Sequence, residues 1–372
     1  MNIKAKPGSG SVRVPVTVRH TLRKTFHTWV TVILFISSLT AQDIHFSQFY
    51  NAPSILSPGL TGIFNGDTRF TGLYRNQWRS VPVDYMTFSG AVDKKCAGRS
   101  IDEGCFAGGL AFNYDQAGLS KLRLINFSLS GSYTKKFSPR VFATLGAQLG
   151  VGQRSFKIDD LTFDNQYDEL REWYDPSLPT GEDFSNTGNF YIDFSAGYNL
   201  RFQALNDNAL VDRLTKRSKL DIGIGVFHLN KPDQGFQDAP KSPISIRLSP
   251  YAMGTIQLGN SFDLLVNLNA QFQKPYRQYV GELGAKIHIN RQLGRQVALI
   301  LGAGYRFNDD FGDAYYPTVE LQYNSLKVGF SYDINISDFE VATQKRGGPE
   351  ISVHYIIKKV KPLPAFKICP LI

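Results

Sequence analysis

Beyond residue 41 the chain carries four histidines, His45, His228, His288 and His354, and its three cysteines are Cys96, Cys105 and Cys369. Enzymatic chemistry requires such groups to converge with a nucleophile, a carboxylate or a metal. The sequence has no HExxH, no GxSxG and no glycine-rich phosphate loop. Ser352 and His354 are two apart, so in a strand they share one face, the arrangement a lipase-type barrel would need on its outer surface. No CxxC pair or Cys/His cluster has zinc spacing. Cys96 and Cys105 flank a turn-rich stretch that a disulfide could close, the alternative being two thiols, and nothing near Cys369 gives it a role. Residues 157–183 hold Asp159, Asp160, Asp164, Asp168, Glu169, Glu172, Asp175, Glu182 and Asp183. These are hard oxygen ligands of the type Ca²⁺ takes, but the DxDxDG spacing and its glycine are missing, which leaves a solvated acidic loop. The sequence reads as a protein without catalysis, cofactor or metal.

Charge places the chain in a compartment. The net charge is +9, but residues 1–41 hold six of the 41 basic residues and none of the 32 acids, leaving +3 for the remainder. With no basic stripe, nucleic-acid binding is excluded, because counterion release needs concentrated positive charge. The basic start runs into Trp29-Val30-Thr31-Val32-Ile33-Leu34-Phe35-Ile36 and ends at Ala41, which predicts a signal peptide over residues 1–41, the apolar run being short for a spanning helix and an uncleaved anchor being the alternative.

From Asp67 onward the hydrophobic pattern has period two. Phe262, Leu264, Val266, Leu268, Ala270 and Phe272 oppose Asp263, Asn267, Asn269, Gln271 and Gln273; Ala143, Leu145, Ala147, Leu149 and Val151 oppose Thr144, Gly146, Gln148, Gly150 and Gly152, a small polar face suited to a crowded or watery lumen. Fourteen strands follow, near 68–78, 84–94, 104–114, 122–134, 141–154, 189–199, 219–228, 243–257, 261–273, 278–289, 295–307, 314–323, 326–336 and 350–357. Their length matches the roughly 9–11 residues that a tilted strand needs to cross a bilayer. Apolar strands in lipid must close on themselves, since an open edge would leave backbone groups unpaired in hydrocarbon. The predicted fold is therefore all-β, an antiparallel up-and-down outer-membrane barrel over residues 67–357. An even strand count returns both ends to the periplasm, giving a periplasmic strap over 42–66 and a periplasmic tail over 358–372. Long connections near 155–188, 229–242 and 337–349 fall on the outer side, and one long periplasmic connection near 201–218 departs from the pattern. Tyr74, Trp78, Tyr85, Tyr133, Phe190, Tyr305, Phe307, Tyr315, Tyr316 and Tyr332 suit interfacial girdles.

The opening His45-Phe46-Ser47-Gln48-Phe49-Tyr50-Asn51-Ala52-Pro53, then Ser57-Pro58-Gly59-Leu60-Thr61-Gly62 and Tyr74-Arg75-Asn76-Gln77-Trp78, resembles the start of the PorP/SprF family of Bacteroidota. Thr87-Phe88-Ser89, Leu161-Thr162-Phe163-Asp164-Asn165-Gln166, the segment from Gly223 through His228-Leu229-Asn230-Lys231-Pro232, and the last strand, Pro349-Glu350-Ile351-Ser352-Val353, extend the resemblance over most of the chain. It implies an outer-membrane protein associated with type IX secretion and gliding motility, whose partners beyond lipid are secretion-machinery components or exported adhesins. The alternative is a passive porin or a conduit for lipid or small molecules. Candidate partner contacts are His45, Phe46, Ser47, Gln48, Phe49 and Tyr50 in the strap, with Arg75, Trp78, His228, Asn230 and Pro232. Read without the family, the strap or plug is ordered, Arg75 lines the lumen, Trp78 marks the interface, and His228, Asn230 and Pro232 make a turn.

Overall fold

The structure, a computed structural model, describes residues 43–77, 85–95, 104–118, 120–158, 161–168, 173–182, 187–204, 216–236, 241–292, 294–308, 312–338 and 340–358. The predicted signal peptide, Trp78, Cys96 and Cys369 lie outside these residues, as does most of the predicted tail.

Fourteen strands close into one barrel: β1 (Thr68–Gln77), β2 (Tyr85–Lys95), β3 (Cys105–Ala117), β4 (Leu122–Ser138), β5 (Val141–Ser155), β8 (Gly188–Gln203), β9 (Lys219–Phe227), β10 (Arg247–Gln257), β11 (Phe262–Gln273), β12 (Tyr276–Asn290), β13 (Val297–Phe307), β14 (Gly312–Tyr323), β15 (Leu326–Asn335) and β16 (Arg346–Ile357). A two-stranded hairpin, β6 (Tyr167–Asp168) with β7 (Trp173–Tyr174), stands in the β5–β8 connection. Each barrel strand pairs antiparallel with its neighbours, and β1 meets β16 with Thr68 opposite Ile357 and Arg75 opposite Glu350, so no edge is left.

The burial pattern is inverted relative to a water-soluble protein. Phe127 and Leu283, each 61% exposed, stand outside with Phe70, Leu110, Ile192, Leu301 and Phe330, while Asp93, Asn199, Asp263, Glu320, Asp333 and Glu350 are buried within. Each strand alternates between the two environments, as the pleat requires when hydrocarbon lies on one side. Tyr74, Phe190, Tyr305, Phe307 and Tyr315 point outward as a girdle needs. Tyr316 does not: it directly follows an outward residue, so the same alternation turns it inward, fully buried.

The barrel has two unlike mouths. At one lie the connections after β5, β9 and β15; at the other lie the short turns after β10 and β14, the start of β1 and the end of β16. The connection after β8, which departs from the pattern of short turns, has residues 205–215 outside the described part.

Candidate functional site: a lumen closed by its own chain

Residues 43–66, read in the sequence as an ordered strap or plug, lie inside the barrel. Their local structure is a series of tight turns, a 3-10 turn at Phe49–Asn51, one helical turn at Pro53–Leu56 begun by proline, and a second 3-10 turn at Pro58–Leu60. These satisfy their own backbone groups over a few residues, and side chains from the barrel wall supply the rest.

The segment threads the lumen from mouth to mouth. At the long-connection mouth Asp43 meets His228 just after β9, Arg247 at the start of β10 and Gln273 at the end of β11. At the other mouth the Asp67 amide donates to the Ile357 carbonyl at 2.9 Å, and the Lys95 amide donates to Asp67 at 3.0 Å.

Near the first mouth Ser47 and Gln48 are clamped. The Glu350 carboxylate accepts both backbone amides, from Ser47 at 2.9 Å and Gln48 at 2.7 Å. Ser47 Oγ donates to Asp333 Oδ1 at 2.7 Å and accepts from Arg306 Nη1 at 2.7 Å. Asp333 Oδ2 in turn accepts from Arg75 Nη2 at 2.8 Å and Arg306 Nη2 at 2.9 Å, and Arg306 also pairs with Asp313. Arg75 Nη1 donates to the His45 carbonyl at 2.8 Å, so Arg75 lines the lumen as expected and serves the plug. Deeper in, Asn51 Nδ2 donates to Glu320 Oε1 at 2.6 Å, and Lys327 bridges Asn51 Oδ1 and Glu320 Oε2.

Midway the contact is backbone on backbone. Gly146 of β5 and Gly197 of β8 are opposite each other in the sheet, and Pro58 and Gly59 rest on them. A Cβ on Gly146 would stand 2.2 Å from the Pro58 carbonyl oxygen, and one on Gly197 would stand 2.6 Å from the Gly59 nitrogen. Only a wall without side chains admits the plug here. Further along, Ser132 Oγ donates to the Thr61 carbonyl at 2.7 Å, the Gly62 amide donates to Asp93 at 2.7 Å, and Arg69 holds Asp93 and the Leu60 carbonyl.

The expected site residues fall into three groups. Phe46, Ser47, Gln48 and Phe49 are buried in the lumen, with Phe49 in an apolar cluster that includes Leu56, Leu60 and Tyr316. Tyr50 packs against that cluster under the Lys327 ammonium. His45 and Arg75 sit with them, so these seven contact the barrel's own interior. His228, Asn230 and Pro232 shape the turn after β9. His228 has φ +60°, and Asn230 imitates a strand by donating to the Ile192 carbonyl and accepting from the Phe194 amide. Trp78 and Cys96 lie outside the described residues, so the possible Cys96–Cys105 bridge has only its Cys105 end placed, at the start of β3. Ser352 and His354 face the plug, bonded to Gln48 Oε1 and the Asn51 carbonyl, and not the lipid surface. Among the described residues no group of three or more His, Cys, Asp or Glu side chains could hold a metal.

Asp43, which sequence reasoning passed over, is the plug's outermost anchor. Its Oδ2 lies 2.6 Å from His228 Nε2 and 3.0 Å from Arg247 Nε, and His228 Nδ1 lies 3.0 Å from Asp193. Burial opposes a charge on His228, but the Asp43 carboxylate and the Asp193 hydrogen bond outweigh it and push its pKa up to about 9. Burial also raises Asp43, yet His228 and Arg247 hold it well below the usual carboxylate range. An imidazole raised from about 6.5 contributes fully below that pH and loses its contribution as pH climbs through the folded value. A depressed carboxylate contributes above its unfolded value of about 4 and is lost on acidification. The clasp is thus strongest between about pH 4 and 6.5. The melting temperature of the detergent-solubilised barrel is expected to fall as pH rises from 6.5 through about 9, with His228→Gln flattening that limb; a flat wild-type profile there would exclude a titrating clasp.

Strands that turn hydrocarbon outward and carboxylates inward, closed without an edge, define an outer-membrane β-barrel, and this one carries its own plug. The chain belongs to the PorP/SprF family: the family described as type IX secretion system membrane protein PorP/SprF matches residues 38–355. It is accordingly a non-enzymatic barrel of the outer membrane. No curated protein matches. Among solved structures, the chain is similar to the Ralstonia pickettii toluene transporter TbuX (11% identity, 82% of this chain and 92% of that one, TM-score 0.46). It is also similar to a ΔS2S3 mutant of the monoaromatic hydrocarbon channel TodX (8% identity, 82% and 93%, TM-score 0.46) and to BamA of Haemophilus ducreyi lacking POTRA domains 1–3 (10% identity, 78% and 70%, TM-score 0.41).

Proposed function

We propose that this barrel serves type IX secretion and gliding motility by binding, its partners being other components of the machinery or exported adhesins. The observation that carries this reading over a passive conduit is the plug, which crosses the whole lumen and is bonded to the wall at both mouths and along its length. A conduit needs an open path; a docking platform does not. With residues 45–50 and Arg75 engaged inside, partner contact falls to the mouths. At the long-connection mouth Trp173, 59% exposed, and Tyr167, 49% exposed, crown the β6–β7 hairpin, and Asn230 and Pro232 lie in another connection of that mouth. Exposed rigid aromatics of this kind are the side chains on which protein interfaces concentrate binding energy. Cells lacking the gene are expected to lose surface proteins from the exported fraction and to stop gliding, and Trp173→Ala with Tyr167→Ala to weaken both while leaving the barrel heat-modifiable on gels. Unchanged export and motility in the deletion strain would overturn the secretion reading.

A further inference from the structure

The Asp43 clasp contains more cationic donor capacity than Asp43 uses. Arg247 is buried, its guanidinium lies 4.1 Å from the centre of the Phe227 ring, and one of its donors, Nη2, reaches the Ile55 carbonyl at 3.2 Å. Its Nε lies within ion-pair range of Asp43 but is not aligned for a hydrogen bond, and its Nη1 has no acceptor at all. A buried guanidinium with two unspent donor nitrogens is costly unless an anion completes it. His228 presents Nε2 to the same spot and is held in place by Asp193 behind it. Gln273 fixes the neighbouring backbone by accepting the Asp43 amide at 3.3 Å. The wall residues come from the ends of strands at the long-connection mouth, whereas Asp43 comes from the plug, so the receptor and its occupant belong to different parts of the fold.

We propose that His228 and Arg247, with Gln273 beside them, form a carboxylate-binding seat at the long-connection mouth, of which Asp43 is the resident, intramolecular occupant. A free carboxylate, from a small acid or from an acidic side chain of a peptide, takes the same seat when Asp43 vacates it. Geometry favours a carboxylate over a spherical anion, because one oxygen can meet His228 Nε2 while the other meets an unspent Arg247 donor. This goes beyond the secretion reading and does not depend on it.

The test uses the full-length barrel in detergent with the Asp43→Ala substitution. Its melting temperature is expected to drop relative to wild type and to recover by at least half in sodium formate, but not in sodium chloride of equal ionic strength. Wild type, whose seat is filled, should respond equally to the two salts. Should Asp43→Ala fail to fold in chloride, the yield of heat-modifiable barrel on refolding in formate becomes the readout, with the same expectation. A blocked peptide carrying one aspartate, set against its asparagine analogue, distinguishes a peptide source from a small acid; response to either supports the seat. The double variant Asp43→Ala with Arg247→Gln should lose the formate response. An equal effect of formate and chloride on Asp43→Ala, or a formate response that survives loss of Arg247, would overturn the proposal.

Discussion

Replacing Gly146 and Gly197 together by valine is expected to convert a barrel with no stable open channel in planar bilayers into one that conducts steadily. The two glycines face each other across β5 and β8, and Pro58 and Gly59 lie on them at backbone contact. A side chain at Gly146 would sit 2.2 Å from the Pro58 oxygen and 2.4 Å from its carbonyl carbon, and one at Gly197 would sit 2.3 Å from Ser57 Oγ. Ser57 Oγ can rotate aside, but the Pro58 carbonyl and the Gly59 nitrogen are main chain and cannot, and the wall is a hydrogen-bonded strand. The strands carry long ladders on both sides and hold, so the plug leaves. Valine suits a strand, which keeps the sheet itself from being the casualty. The double variant should stay heat-modifiable, showing a folded barrel, while current steps appear. A folded variant that remains closed would mean that something other than residues 43–66 seals the lumen.

Asp333→Ala should be the most destabilising single change in the lumen. The Arg75, Arg306 and Asp333 side chains are 4%, 1% and 3% exposed, and one carboxylate serves both guanidinium groups and Ser47 Oγ. Its removal leaves two buried cations short of a counter-ion. Breaking a buried pair by deleting one partner costs on the order of 3–5 kcal/mol, chiefly through the charge left uncompensated. Lys345 and Glu340 supply the comparison: 3.9 Å apart and 66% and 40% exposed, they should contribute less than about 1 kcal/mol, and Lys345→Ala should leave unfolding almost unchanged. Urea unfolding of the folded barrel measures both. A loss for Asp333→Ala no larger than that for Lys345→Ala would show that Asp313 and Glu350 compensate for the missing carboxylate.

The wall of the barrel was legible because its code is local. Lipid on one side and the lumen on the other impose a two-residue period that can be read within each strand, and all fourteen strands fall where that period places them. The small polar face of β5, with Gly146, Gly150 and Gly152, suits a crowded or a watery lumen alike, and the plug seated on Gly146 makes it crowded. The plug's contacts, and so the choice between a strap and a plug, were not legible, because its partners are remote: Ser47 and Gln48 meet Glu350 and Asn51 meets Glu320, separations of about three hundred residues that no periodicity records. One signal was available. Asp93, Glu320, Asp333 and Glu350 all fall on inward positions, and buried carboxylates require partners that a water-filled pore would not supply. Tyr316 marks the limit of reading aromatics by position along a strand, since residue parity decides whether a ring faces lipid or lumen.

The route of the plug also bears on how the barrel is made. Its contacts join the two ends of the chain: Arg75 of the first strand and Asp333 and Glu350 of the last two all converge on residues 45–48, and Arg69 grips the Leu60 carbonyl beside the same seam. Residues 45–48 thus hold β1 on one side and β15 and β16 on the other, bracing the seam from within like a mandrel inside a hoop. A chain starting at residue 67 should accordingly seal more slowly into lipid than the full-length protein, although every strand of the cylinder is present.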